Sequence, residues 1–148
     1  KNTPMSDAMH IVCPACGGIN RLPADRLAHS PMCGKCHQPL FQGRPLELDE
    51  TRFMRHTQRG DLPLLVDFWA PWCGPCRVLA PAFAAAAVKL EPAVRLVKVN
   101  TEEQQTLAAR FAIRSIPTLA LLRGGQEVAR VAGAMDTAAL VNWTRQYL

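Results

Sequence analysis

No apolar run in the 148 residues approaches the roughly 18 that a membrane-spanning helix requires, so such a helix is excluded. The longest candidate, residues 82–88, is short and alanine-rich. Blocks of five or six like charges are also missing. Residues 1–50 balance five Lys/Arg against five Asp/Glu, whereas residues 51–148 set twelve against seven, so the net charge of +5 is spread over the second part. A mild, dispersed basic excess favours solubility and acidic partners and argues against a dedicated nucleic-acid surface. No signal peptide is evident: residues 8–13 are too short an apolar stretch, and no small-residue cleavage site follows. Residues 1–4 are read as a tag remnant, and residues 1–9 together as tag or disordered N-terminus. Nor is the composition that of a disordered chain, with 49% hydrophobic and 20% charged residues.

What is present is an uneven set of six cysteines. Cys13, Cys16, Cys33 and Cys36 fall in the first 50 residues, and Cys73 and Cys76 stand alone in the rest. Six of the twelve prolines precede residue 46, and residues 10–42 sustain no helical period. A segment of about 40 residues of this kind cannot fold on its own core, so a metal or disulfides must hold it. Two Cys-x-x-Cys knuckles separated by sixteen residues can bring four thiolates to one ion, the pattern of a closed, tetrahedral, structural zinc site. Two structural disulfides are the alternative, and they require an oxidising compartment that nothing here indicates. His10, His29 and His37 could replace a thiolate ligand, but four thiolates suffice and these histidines are read as surface residues. Cys33-Gly34-Lys35-Cys36-His37 also matches the haem-attachment pattern, yet the neighbouring knuckle explains these cysteines better; no bound haem or nucleotide is expected.

From about residue 44 the chain alternates strand-like and helix-like segments. Leu46 and Leu48 suggest a short strand, after which Asp49 caps a helix through about Gln58. Residues 64–69 are apolar except for Asp67, as in a buried central strand. The helix after Cys73 places Leu79, Phe83, Ala86 and Leu90 on one face, and Pro81 is expected to kink it. Residues 95–100 alternate as a strand, and Asn100 with Glu103 has the spacing of a capped helix start. Residues 118–122 and 127–132 form a hairpin around Gly124-Gly125, and Leu140, Trp143, Thr144 and Tyr147 mark a terminal helix. This order predicts a mixed sheet with helices on both faces, an α/β domain over residues 45–148, preceded by a zinc ribbon over residues 10–44.

The third Cys-x-x-Cys differs from the other two because it follows a buried strand and opens a helix. Helical amides and the macrodipole then favour the Cys73 thiolate, while Cys76, one turn inside, can attack a mixed disulfide on Cys73. Half of a second metal site is the alternative, but no third and fourth ligands lie near it in sequence. Residues Val66-Asp67-Phe68-Trp69-Ala70-Pro71-Trp72-Cys73-Gly74-Pro75-Cys76, with Ser115-Ile116-Pro117-Thr118 downstream, closely resemble the thioredoxin family. The double knuckle further resembles the bacterial, zinc-containing thioredoxin 2 type, so the similarity covers almost the whole chain.

That resemblance implies the thioredoxin fold, with Cys73 as nucleophile and Cys76 as resolving cysteine of a redox-active disulfide. It implies that Asp67 helps deprotonate the resolving thiol through water, that Lys98 modulates Asp67, and that the Ile116–Pro117 bond is cis. A lone carboxylate in an apolar strand should in any case have a raised pKa; a purely structural aspartate and a solvated Lys98 are the alternatives. Trp72, Ile116, Pro117, Gly133 and Ala134 are expected to form an apolar patch for substrate, with Trp69 packed beneath the loop. Gly74-Pro75 between the cysteines resembles reducing members. The family implies a cytoplasmic, monomeric bacterial protein-disulfide reductase that is re-reduced by NADPH-dependent thioredoxin reductase. Substrates would include ribonucleotide reductase and oxidatively damaged proteins, with no membrane or nucleic-acid partner. Two other classes fit the ribbon: a binding adaptor on a thioredoxin scaffold, and a chaperone switched on when oxidant strips its zinc.

Overall fold

The computed structural model describes residues 7–148. Strands β1 (Ala8–Val12) and β2 (Ile19–Pro23) pair antiparallel, and the turn between them is the first knuckle. Cys13 N–H donates to the Gly18 carbonyl, and Gly17 N–H to that of Cys13. The second knuckle repeats the scheme, with Cys33 N–H on Gln38 and His37 N–H on Cys33. Gly17 and His37 each stand four residues after a first cysteine and both are left-handed, at φ 75° and 65°. Glycine suits that backbone and histidine does not, so His37 is held there by its knuckle. Residues 8 and 9, expected in an unstructured N-terminus, instead begin β1; residues 1–6 lie outside the described residues.

The second part forms one five-stranded sheet in the order β3-β5-β4-β6-β7. Its strands are β3 (Leu46–Glu47), β4 (Leu64–Trp69), β5 (Arg95–Asn100), β6 (Thr118–Arg123) and β7 (Gln126–Ala132). Strands β3, β5 and β4 run parallel, and β6 and β7 return antiparallel. Side-chain alternation divides the core. Leu65, Leu96, Leu119 and Leu121 face α2 (Gly74–Leu90) and α4 (Thr137–Arg145), packing on Leu79, Phe83, Ala86 and Leu140. Val66, Phe68, Val97 and Val99 face α1 (Glu50–Arg59) and α3 (Gln105–Arg110), packing on Phe53 and Leu107. The mixed sheet with helices on both faces is thus present as the element order predicts.

Asp49 caps α1 by accepting from Arg52 N–H, as its position predicts. Two local expectations need correction. Asn100 does accept from the amides of Glu102 and Glu103, but it caps a turn, and α3 begins only at Gln105. On α4 the buried residues are Leu140, Val141 and Thr144, whereas Tyr147 lies beyond the helix and is exposed. Helix α2 continues as one 17-residue element through Pro81.

The ribbon seats against the second domain through charged groups buried at the contact. Arg95, at the start of β5, is 1% exposed and donates to the carbonyls of Leu40 and Val12. Its guanidinium lies 4.8 Å from the centre of the Phe41 ring and 3.7 Å from Glu91, whose other oxygen accepts from Gly43 N–H. From α1, Arg52 and Arg55 donate to the carbonyls of Pro14 and Gly17 in the first knuckle. A side chain on Gly60 would meet the His56 carbonyl at 2.7 Å and Val12 at 3.3 Å, so glycine permits this close seating.

Candidate active site and four-cysteine centre

Strand β4 ends at Trp69, and a tight turn delivers Cys73 to the N-terminus of α2. Cys73 is the N-cap residue, and its sulfur accepts the Cys76 N–H at 3.2 Å. Pro75 lies in the first turn, where a missing N–H costs nothing. A free Cys73 thiolate therefore meets an aimed amide and the positive end of a helix. The two sulfurs lie within disulfide range. Exposure does not distinguish the pair, at 4% and 3%; the amide directed at Cys73 does.

The Ile116–Pro117 peptide is cis, and the Ile116 carbonyl sits 3.7 Å from the Cys73 sulfur. Gly133 N–H donates to the Pro117 carbonyl, which brings residues 133 and 134 beside this loop. Ile116 and Gly133 are half-buried, Ala134 is exposed, and Trp72 is 65% exposed with its indole N–H on Glu102. Pro117 itself is buried, so it supports the loop more than it lines a surface. Trp69 packs beneath the cysteines and donates its indole N–H to Glu47 at 3.2 Å.

Asp67 is 1% exposed, and among the described residues no group hydrogen-bonds either of its oxygens. Burial pushes it up to about 7, with Lys98 pulling downward and Glu47 pushing further up. Lys98 is the cross-strand neighbour of Asp67, but its ammonium stands 4.6 Å over the Trp69 ring.

In the ribbon, the sulfurs of Cys13, Cys16, Cys33 and Cys36 all lie within 4.8 Å of one another. Cys13–Cys36 and Cys16–Cys33 are each 3.6 Å apart, close to the edge of about 3.8 Å that 2.3 Å zinc–sulfur bonds give a tetrahedron. Backbone amides of Ala15, Cys16, Gly18 and Lys35 point at three of these sulfurs, and the buried Asn20 amide reaches Cys33. None of the four histidines joins the cluster: His10 pairs with Asp61, and His56 is buried in α1. The donor set is therefore all sulfur, and it fits a soft or borderline divalent ion.

Reading the sequence missed Glu47, Asn20, Arg95 and His56. Only Arg95 carried a local signal, as a charge opening an otherwise apolar strand.

Residues 44–146 match the family model described as thioredoxin, and residues 12–38 match that described as thioredoxin 2, N-terminal. Thioredoxin C-3 of Corynebacterium nephridii is 48% identical over 140 residues, covering 95% of this chain and 96% of its own. Thioredoxin of Porphyra purpurea is 41% identical over 102 residues, covering 69% and 95%. Among solved structures, a point mutant of thioredoxin from Halobacterium salinarum superposes with a TM-score of 0.63 at 33% identity, covering 71% of this chain and 91% of that one. With a cysteine pair in disulfide range at a helix N-terminus, a cis-proline facing it and a four-cysteine ribbon in front, the chain belongs to the thioredoxin family of thiol–disulfide oxidoreductases.

Proposed function

We propose that this protein is a protein-disulfide reductase of a reducing, cytoplasmic compartment. The observation that carries the reading is the Cys76 amide aimed at the Cys73 sulfur, together with the buried, unpartnered Asp67 on the preceding strand. The Cys73 thiolate attacks one sulfur of a substrate disulfide, forming a mixed disulfide and releasing the other sulfur as a thiolate. Asp67 takes the proton of the Cys76 thiol through a bridging water, and the new thiolate attacks the Cys73 sulfur. The Cys73–Cys76 bond forms as the bond to substrate breaks, and the departing substrate thiolate is protonated by solvent. Two electrons pass from the enzyme dithiol to the substrate, and NADPH-dependent thioredoxin reductase returns them. The exposed Trp72 and Ala134, with Ile116 and Gly133, offer an apolar seat to an extended segment around the substrate cysteine. Ribonucleotide reductase is a substrate of the right chemistry.

Cys13, Cys16, Cys33 and Cys36 would hold one zinc ion, which supplies a cross-link between the knuckles and no open coordination position.

The decisive experiment is reduction of insulin disulfides with thioredoxin reductase and NADPH. Cys73→Ser is expected to lower turnover by about a thousandfold or more. Cys76→Ser should instead stop after the first attack and accumulate a mixed disulfide visible by mass spectrometry. Full turnover by Cys73→Ser would falsify the reading.

A further inference from the structure

Glu47, Lys98 and Asp67 form one row across three neighbouring strands. Glu47 on β3 is the register partner of Lys98 on β5, and Lys98 is the partner of Asp67 on β4. Their sequence neighbours Leu46, Val66, Val97, Phe68 and Val99 all pack on the α1 side. The row therefore leaves the sheet on the α2 side, where the cysteines are. A strand spacing of about 4.8 Å sets the lysine between two carboxylates, one on either side.

Trp69 ties the row together. Its indole N–H is held by Glu47 at 3.2 Å, and Lys98 stands over its face at 4.6 Å from the ring centre. The cation thus stands over the ring, and both Asp67 oxygens lack a protein partner. We propose that Glu47 is a positioning residue for the Asp67 proton transfer: it fixes the Trp69 ring and with it Lys98, leaving the buried carboxyl without a direct cation contact.

The surrounding groups are consistent with that role. Lys98 from β5 flanks Asp67, Glu47 from β3 lies beyond Lys98, and β6 presents the apolar Leu119 opposite. Cys73 caps α2 and Cys76 lies in its first turn, on the same side of the sheet as the row. Glu103 is the other charge that acts on Glu47. The Lys98 charge lowers the proton affinity of Asp67 and Glu47 raises it, which is the sign the row requires. Glu47 is solvent-exposed, so its coupling is screened and the expected effect is modest.

The inference rests on the reductase reading for its purpose but not for its test. Glu47→Gln keeps the size of the side chain and an acceptor for Trp69 and removes only the charge. In the zinc-loaded, oxidised full chain, the Asp67 carboxyl carbon is followed by NMR through a pH titration. The midpoint should fall by about half a pH unit, a threefold loss of proton affinity. The pH profile for resolving a mixed disulfide should move in parallel. Lys98→Gln should shift the midpoint upward. A Glu47→Gln midpoint equal to or above that of wild type overturns the proposal, because a merely structural Glu47 would alter stability without moving the titration. The titration is read without turnover, so failure of the inference and failure of the reductase reading are separately visible.

Discussion

Asp67 illustrates how a single residue can be poorly placed for stability while serving the proposed chemistry. A carboxyl that is 1% exposed and has no protein partner resists ionisation, and its pKa rises from 3.8 to about 7. Between those two values the folded protein holds a proton that the unfolded chain has released. The folded state binds more protons there, so stability falls as pH rises through that window. Asp67→Asn removes the liability. At pH 8 its urea-unfolding midpoint should exceed that of wild type, with a gain on the order of 3 kcal/mol, and at pH 4 the two should unfold alike. Asn accepts no proton, so the mixed disulfide should also resolve about a hundredfold more slowly. A stability difference that does not vary with pH would contradict this account of Asp67. Asp67 is legible in the sequence because one carboxylate interrupts an otherwise apolar strand. Glu47 is not legible, because its role depends on the pairing of β3 with β5, which no local pattern encodes.

At the scale of elements, β5 has two different ends. Its last residue, Asn100, organises the turn beside the active site, and its first, Arg95, anchors the ribbon. The six-residue strand keeps these tasks about 17 Å apart. Arg95→Met retains much of the apolar stem but removes the donors to Val12 and Leu40 and leaves Glu91 without its cation. Breaking a buried pair from one side costs about 3–5 kcal/mol. The variant should therefore unfold at lower denaturant and lose zinc to a chelator faster than wild type. Reaction of Cys73 with a small disulfide should be unchanged, and a slowed reaction would show that the two ends of β5 are coupled. The strands and helices themselves are largely legible from periodicity: β4, the β6–β7 hairpin and α2 all lie where the apolar pattern puts them. Helix α3 is displaced because Asn100 and the residues after it satisfy their backbone bonds in a turn first. Tyr147 keeps helical spacing with Leu140 and Trp143, but α4 ends at Arg145 and leaves it on the surface.

For the whole molecule, the question is how two folding units of unequal self-sufficiency share one chain. The catalytic domain has apolar cores on both faces of its sheet. The ribbon has only a small cluster around Ile11, Leu27, Leu40, Cys13 and Cys33, completed by Leu62 from the loop ahead of β4. Without a metal cross-link that cluster is too small to order residues 8–42, whereas nothing in the two larger cores depends on it. Metal removal should therefore separate the units. Chelation under reducing conditions is expected to make residues 8–42 sensitive to protease and rapid in hydrogen exchange. Residues 45–148 should keep one cooperative unfolding transition and their insulin-reducing turnover, at a lower melting temperature. The decrease follows from the docking contacts, because the melted ribbon no longer covers Arg95 and no longer satisfies Arg52 and Arg55 on α1. His56 reports the same event. It is buried in α1 beside β1, and burial, reinforced by Arg95, Arg52 and Arg55, holds it down to about 3. Once the ribbon leaves, its NMR titration should move up toward the ordinary histidine value near 6.5. If chelation leaves residues 8–42 protected, or the catalytic domain unfolds with them in a single step, the two units are one cooperative body and this division is wrong.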